Sequence, residues 1–187
     1  MPVHSYFVLI AFIFLFVVFT FQFITLSSSG LKFLGIPAIE TLYFYSAKVA
    51  LFITWALFIV KAIHPRLGYI CLPAGVSWIA VGLLFFGVLI VSIAILNLGK
   101  SLAVGLPEQE TTLQTHGLYR FSRNPLYLGV HVISLASCIY FPDLINVTFT
   151  IYGIYIHHQI IKQEERFLSV RFGAEWLIYS AKAGRYL

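Results

Sequence analysis

Apolar residues in this chain gather into long uninterrupted runs rather than into the spaced stripe of a surface helix. Three of these runs, Tyr6–Leu26, Leu42–Ile63 and Ala74–Leu96, each reach the roughly 20 residues that an α-helix needs to cross a bilayer. The pattern therefore predicts three transmembrane helices in the first half of the chain. Gly75, Gly82 and Gly87 in the third run are predicted to allow close helix packing.

Two shorter apolar runs follow in the second half, Leu126–Phe141 and Leu144–Ile161. Each would extend about 25 Å at helical rise, which is enough to cross the hydrocarbon region. Only Pro142 and Asp143 separate them, so we expect a tight helical hairpin. The predicted fold class is an all-α integral membrane protein with five transmembrane helices.

The last 25 residues, after the fifth run, are predicted to form a cytosolic or interfacial helix. Their larger apolar side chains recur at spacings of about one helical turn, which is the pattern of a helix with one buried face. This stripe consists of Leu168, Phe172, Trp176 and Tyr179. Gly173 is expected to bend or break the helix.

Composition agrees with a membrane protein. The chain is 60% hydrophobic and 10% charged, whereas soluble domains are about 45–50% apolar and about 25% charged. The net charge of +5 is interpreted as an attraction to lipid head groups and a determinant of topology, not as a nucleic-acid site.

The distribution of lysine and arginine predicts the orientation. With the N-terminus outside, nine basic residues fall in cytosolic segments and two, Lys61 and Arg66, in outer segments. The positive-inside rule then places the C-terminus in the cytosol. We expect a multi-pass protein of a bacterial or archaeal inner membrane or of a eukaryotic endomembrane. The first run is too long for a signal-peptide core and is expected to stay uncleaved.

Polar chemistry is concentrated in the second half, which suggests a three-span part over residues 1–96 and a catalytic core over residues 97–187. Lys48, about two turns inside the second span, is an exception in the first part. It either reaches back to the inner interface or has a function. Cys71 and Cys138 both lie toward the predicted outer face, where a disulfide is possible, although two small apolar side chains are the simpler interpretation.

Several classes of site are excluded. Asp143 is the single aspartate, so sites that hold Mg²⁺ with several aspartates are not expected. The histidines do not form the clusters of a di-iron enzyme, and no metal site is predicted. Neither a dinucleotide-binding glycine motif nor a P-loop is present.

Residues 117–129, with the sequence GLYRFSRNPLYLG, permit two interpretations. In the structural one, Asn124 caps a helix that begins at Pro125, and Arg120 and Arg123 lie at the inner interface. In the functional one, the same helix start binds an anionic group through its free N–H groups.

The predicted hairpin favours a functional site because it brings the start of the fourth span beside the end of the fifth. That end carries His157, Glu164 and Glu165. Glu164 shares a helix face with Leu168 and should point inward, whereas Glu165 is rotated about 100° away and suits a solvated position. Together with the polar flap Leu106–Gly117, these groups suit S-adenosylmethionine, whose sulfonium aromatic rings can solvate and whose ribose hydroxyls a carboxylate can bind.

Three blocks of sequence resemble a known family. They read G-x-Y-x-x-x-R-[HN]-P-x-Y-x-G from Gly117, E-E-x-x-L from Glu164 and F-G-x-E-[YW]-x-x-Y from Phe172. Together they resemble the isoprenylcysteine carboxyl methyltransferase family and its phospholipid-methyltransferase-like relatives, over roughly residues 97–185. The resemblance implies an integral membrane enzyme that uses S-adenosylmethionine at the cytosolic face and admits a lipophilic acceptor from the bilayer.

The resemblance also implies site residues. Cofactor contacts are expected from Thr111, Thr112, Leu113, Gln114, His116, Gly117, Tyr119, Asn124, Pro125, Leu126, Tyr127 and Glu164. Catalytic roles are expected for Arg123, His157 and Glu165, the last two as possible bases for an amine or hydroxyl acceptor. Carboxyl O-methylation is the favoured reaction.

Two positions depart from the family pattern. Asn124 stands where many members have histidine, so this side chain can form hydrogen bonds but cannot titrate. Ile160 stands where carboxyl-methylating members have an arginine for the substrate, and His157 or Lys162 could substitute for it. Two alternatives stay open: a membrane reductase of the sterol type that uses NADPH, and a lipid-binding relative without catalysis.

Overall fold

The computed structural model describes residues 1–68, 72–108 and 111–187. Within these ranges all regular elements are helical, and helix accounts for 73% of the structure. Six α-helices, named α1 to α6 in chain order, are Val3–Ser28, Thr41–Ile63, Ala74–Leu98, Pro125–Tyr140, Leu144–Phe172 and Ala174–Ser180. Two short 3₁₀ helices, Gly99–Ser101 and Gly117–Arg120, lie between α3 and α4.

Three helices are long and apolar enough to cross a membrane: α1, α2, and α3 with its 3₁₀ extension to Ser101. They confirm the three spans predicted for the first half. Helix α4 is a shorter apolar helix of 16 residues, and α5 is longer but more polar. The count of five spans therefore stays a prediction for the last two helices.

Helices α4 and α5 form the predicted hairpin, connected by residues 141–143 alone. Asp143 caps α5 by accepting a hydrogen bond from the Ile145 amide at 2.9 Å. Buried Asn146 donates to Ser137 Oγ at 3.0 Å and to the Phe141 carbonyl at 2.9 Å. These bonds satisfy the polar groups at the turn and fix the two helices side by side.

The two halves of the chain share one bundle, because α3 packs most extensively against α4 and α2 packs against α5. The α3–α4 crossing is closest at Gly87 and Gly129. A methyl group added at either glycine would lie 2.9 Å from the carbonyl oxygen of the other. The prediction of close packing is thus confirmed for Gly87, whereas Gly75 and Gly82 face open space.

The predicted separate C-terminal helix is wrong in its first half. Helix α5 continues without a break to Phe172, about three turns beyond its apolar part, and ends at Gly173, whose φ is +50°. Only α6 follows. The predicted apolar stripe is confirmed, because Trp176 and Tyr179 are buried against Leu168 and Phe172.

Short backbone pairings hold the loops at the end of the bundle that carries the polar residues. The Gly35 amide donates to the Val104 carbonyl at 3.0 Å, and Ile36 and Leu106 exchange two backbone hydrogen bonds at 2.9 and 2.8 Å. The polar flap therefore starts from an anchored position. Cys71 lies outside the described residues, so its pairing with Cys138 is untested; the Cys138 thiol lies 3.1 Å from Thr150 Oγ1.

Candidate functional site

A cleft of about 150 Å³ opens where the flap, the start of α4, the end of α5 and α6 meet. Nine of the twelve predicted cofactor residues line it. They are Thr111, Thr112, Leu113, Gln114, Tyr119, Asn124, Leu126, Tyr127 and Glu164. Arg123, predicted as catalytic, also lines the cleft. The sequence motifs thus converge on one concave site.

Three predicted cofactor residues lie outside the lining. His116 is exposed to solvent. Gly117 has a φ of +61° and approaches the Asn97 side chain so closely that any Cβ would collide with it. Pro125 is the buried first residue of α4. Gly117 and Pro125 thereby shape the backbone that presents the lining residues.

Glu164 lies on the wall of the cleft, as predicted. Its Oε1 accepts a hydrogen bond from the Tyr127 hydroxyl at 2.9 Å, which joins the end of α5 to the start of α4. Burial raises the pKa of Glu164 to about 7, against the attraction of Lys48 and the hydrogen bond from Tyr127, which both lower it. The Glu164 carboxyl group therefore gains or loses its proton near neutral pH.

Glu165 is not solvated, contrary to the prediction, and is only 8% exposed. Its two oxygens accept hydrogen bonds from Arg123 at 3.1 and 3.3 Å and from Arg185 at 3.0 and 2.8 Å. Burial alone would raise the pKa of Glu165, but the bonds from Arg185, Arg123 and Asn124 outweigh it and lower the pKa. Such a carboxylate stays charged and is a poor proton acceptor.

Asn124 occupies the predicted cap position before α4, but its side chain does not cap the helix. Its amide Nδ2 donates instead to Glu165 Oε1 at 2.8 Å and to the Arg185 carbonyl at 3.1 Å. The Arg123 guanidinium also donates to the carbonyls of Ser180 and Ala183, at 3.0 and 2.7 Å. These bonds tie the start of α4 to α5 and to the segment after α6.

Aromatic rings form much of the remaining wall. Tyr119, Trp176 and Tyr179 line the cleft, and the Tyr179 hydroxyl donates to the Tyr119 carbonyl at 2.7 Å. Burial raises the pKa of Tyr179 to about 12, so its hydroxyl stays a donor at neutral pH. Trp176 and Tyr179 were predicted only as an apolar stripe, and Arg185 was not predicted at all.

The cleft contains one polar atom that lacks a partner within the described residues. Gln114 donates through Nε2 to Thr112 Oγ1 at 3.0 Å, but its buried carbonyl oxygen Oε1 has no donor there. An unsatisfied buried acceptor costs free energy. A ligand with N–H or O–H groups would remove that cost.

A second polar cluster lies deeper, between α2, α4 and α5. His157, predicted as catalytic, is 2% exposed and does not line the cleft. Lys48 Nζ lies 3.3 Å from His157 Nε2, and it also lies over the rings of Phe44 and Tyr127 at 5.0 and 5.5 Å. Lys48 thus extends across to α5.

Ile160 is fully buried and packs with Phe44 and Ala47 of α2. The position at which the resemblance suggested a substrate-binding arginine is therefore filled by an apolar contact between α2 and α5. Lys162, the other suggested substitute, is exposed on α5.

Residues 76–175 match the model of the phospholipid methyltransferase family, which is more than half of the 187 residues. The chain belongs to this family, within the group of membrane methyltransferases that also includes isoprenylcysteine carboxyl methyltransferases. A search of curated proteins finds no match. The matched region contains most of α3, all of α4 and α5, and most of the cleft lining, whereas Lys48, Tyr179 and Arg185 lie outside it.

Proposed function

We propose that this protein transfers the methyl group of S-adenosylmethionine to a lipophilic acceptor at the cytosolic face of a membrane. The observation that carries the proposal is the cleft itself. It gathers nine of the twelve residues expected to contact the cofactor, and it lies at one end of an apolar helical bundle. Family membership independently indicates a membrane methyltransferase.

The residues of the cleft fit this cofactor. The Glu164 carboxylate is suited to accept hydrogen bonds from the hydroxyl groups of a ribose, and Gln114 Oε1 is an acceptor that has no donor among the described residues. Tyr119, Tyr127 and Trp176 provide aromatic faces, which stabilise a sulfonium cation and the adenine ring. When bound, the cofactor supplies a methyl group on a positively charged sulfur.

We propose a carboxylate as the acceptor. Its oxygen forms a bond to the methyl carbon while the carbon–sulfur bond breaks, and the electron pair of that bond stays on the sulfur. The products are a methyl ester and a neutral thioether, so no proton is transferred. The protein then contributes by positioning the two reactants and excluding water, which can account for a large part of the rate enhancement.

The geometry supports positioning roles for Arg123 and Glu165 instead of the catalytic roles expected from sequence. Both side chains are occupied by the network with Asn124 and Arg185. This network holds the start of α4 against the segment after α6. The proposed role of His157 is contact with the acceptor, because it lies beneath Tyr127 rather than in the cleft.

We further propose five transmembrane spans, with α4 and residues 144–161 of α5 as the fourth and fifth, and the C-terminus in the cytosol. The arrangement places the cleft at the cytosolic surface. An acceptor can then reach the cleft from the bilayer while the cofactor arrives from the cytosol.

The experiment that tests the reaction uses purified protein in detergent, S-adenosylmethionine labelled in its methyl group, and a total lipid extract. We expect label in the lipid fraction that mild base releases as methanol, which identifies a methyl ester. Base-stable labelled lipid would contradict the carboxylate acceptor and favour an amine. Complete lack of transfer would favour the lipid-binding alternative, and lipid-dependent oxidation of NADPH would favour the reductase.

A further inference from the structure

The deep cluster beside the cleft is formed by three helices that each contribute one nitrogen-bearing side chain. These are Lys48 from α2, His131 from α4 and His157 from α5. The His131 and His157 rings lie 5.9 Å apart, and Lys48 Nζ lies 3.3 Å from His157 Nε2. Cationic and neutral nitrogen groups from three spans rarely converge within an apolar bundle without a function.

The charge of Lys48 has no carboxylate partner within 4 Å among the described residues. The Glu164 carboxyl group interacts with Lys48 electrostatically, but its Oε1 accepts a hydrogen bond from Tyr127. His157 offers only a neutral nitrogen to Lys48, because a charged imidazole cannot accept a hydrogen bond. The ammonium group thus retains capacity for an anion.

His131 gives a second, independent indication of a ligand. Its Nε2 is buried and has no hydrogen-bond partner within the described part of the chain. The ring is surrounded by Tyr127, His157 and Tyr186, at centroid distances of 6.5, 5.9 and 6.2 Å. A buried nitrogen without a partner costs free energy that a bound polar group would recover.

Tyr127 connects this cluster to the cleft. Its ring lies 5.5 Å from Lys48 Nζ and 5.6 Å from the His157 ring, while its hydroxyl binds Glu164 in the cleft wall. A group held by Lys48 would therefore lie on the membrane side of the residue that borders the cofactor site.

We propose that Lys48, His131 and His157 bind the head group of the acceptor, and that Lys48 selects acceptors whose head group is negatively charged. This inference rests on the proposed function and adds the residue that determines which acceptors bind. Lys48 belongs to α2, outside the residues that match the family. The cation for the acceptor thus comes from the N-terminal half, whereas the α5 position suggested by the resemblance is occupied by Ile160.

The test compares two probes with the same alkyl chain: stearic acid with a nitroxide label near the chain end, and its methyl ester. Wild-type protein in nanodiscs of uncharged phosphatidylcholine is measured at about pH 8, where a carboxylic acid is ionised. Electron paramagnetic resonance gives the immobilised fraction of each probe. We expect the acid to bind about tenfold more tightly than the ester, which corresponds to about 1.4 kcal/mol.

Lys48→Met should remove the preference for the acid, whereas Lys48→Arg should retain most of it. Lys182→Met, at an exposed position, is the matched control and should behave as wild type. Equal binding of acid and ester by the wild type, binding of neither, or an unchanged preference in Lys48→Met would overturn the proposal. Should Lys48→Met not fold, the wild-type comparison and Lys48→Gln still decide it.

Affinity for S-adenosylhomocysteine, the demethylated product, is measured on the same samples. If no variant binds it, the proposed methyl transfer fails whatever the probes show. If all variants bind it equally and the acid preference is absent, only the assignment of Lys48 fails.

Discussion

At the residue scale, Glu164 and Glu165 show how two adjacent carboxylates acquire opposite properties. Glu164 faces the cleft, receives one hydrogen bond from Tyr127 and has a pKa raised by burial. Glu165 faces the protein, binds two arginines and Asn124, and has a lowered pKa. A rotation of about 100° along α5 therefore separates the carboxylate proposed to bind the ligand from the one that joins the structural network.

Glu164→Gln should weaken the binding of S-adenosylmethionine about tenfold or more, because a charged acceptor contributes about 1.5–3 kcal/mol per hydrogen bond. In the wild type, affinity should rise between pH 6 and 8 as Glu164 loses its proton near its pKa of about 7. Lys48, Tyr119 and Tyr127 are the other titratable groups that interact with it. Calorimetry of both proteins across this range measures the effect.

The stability of the variant relative to wild type should also depend on pH. The pKa of Glu164 is raised on folding, so its favourable contribution is present below about pH 4.5 and is lost as the pH rises through 7. Ligand-free Glu164→Gln should therefore melt at a higher temperature than wild type at pH 8 but not at pH 4.5. A pH-independent affinity in the wild type would show that Glu164 does not bind the cofactor as a carboxylate.

Glu165→Gln should destabilise the protein by about 3 kcal/mol, since removing one member of a buried ion pair leaves the other uncompensated. The pKa of Glu165 is lowered on folding, so its contribution is present above about pH 4.3 and is lost as the pH falls. Thermal unfolding in detergent at pH 7 and pH 4 measures both effects.

Glu175→Gln is the matched control for this change, because Glu175 is exposed in the same motif region. It should leave the unfolding temperature unchanged. Equal unfolding temperatures for Glu165→Gln and wild type at pH 7 would contradict the structural role of the network.

At the element scale, helix crossing depends on a small number of positions. Gly87 and Gly129 let α3 and α4 approach until each carbonyl oxygen lies 2.9 Å from the position of a Cβ atom added at the other glycine. Gly87→Ala should force the helices apart and lower the unfolding temperature, whereas Gly82→Ala, which faces open space, should be neutral or slightly stabilising. Thermal unfolding of both variants compares the same chemical change on one helix.

If Gly82→Ala lost as much stability as Gly87→Ala, the cause would be a general effect on helix α3 and not the close approach to α4. Because α4 begins at the cleft, Gly87→Ala should also reduce cofactor affinity. Gly82→Ala should leave that affinity intact.

Apolar run length predicts the first three helices well because run length directly reflects the thickness of the bilayer. The same pattern could not locate the end of α5, since polar residues continue the helix beyond Ile161 with no proline or glycine until Gly173. Periodicity did predict the face of this segment that packs, because Leu168 and Phe172 contact Trp176 and Tyr179 of α6, but it did not show that the segment is continuous with the fifth apolar run.

For the site, the sequence predicted the lining residues from motif order, but not the partners of Glu165. Arg185 lies 20 residues from Glu165 and in no recognised motif; only the turn at Gly173 and the fold of α6 bring the two together. Asn124 illustrates the same limit. Its position before Pro125 predicts a side chain that caps α4, whereas the side-chain amide donates to the distant Glu165 carboxylate instead.

At the scale of the whole molecule, the two halves defined by composition interlock. Helix α2 packs on α5 and α3 on α4, so the three-span part supplies both the support for the cleft and the lysine of the deep cluster. The boundary at residue 96 therefore marks a change in amino-acid composition. It does not divide the chain into two separately packed units.

The orientation of the molecule is tested by single cysteines placed in a variant that lacks Cys71 and Cys138. Lys182→Cys should react with a membrane-impermeant maleimide from the cytosolic side, and His64→Cys from the opposite side. Both positions are exposed. Labelling of both from the same side would be incompatible with an odd number of spans between them and so with the proposed topology.

Calorimetry of the purified protein measures directly whether the cleft binds S-adenosylmethionine. Titration with S-adenosylmethionine, S-adenosylhomocysteine and NADPH should show binding of the two sulfur compounds at a single site, with NADPH giving no signal. Binding of the sulfur compounds should weaken in Glu164→Gln and stay unchanged in Glu175→Gln. Binding of NADPH alone, or of none of the three, would show that the cleft is not a site for S-adenosylmethionine.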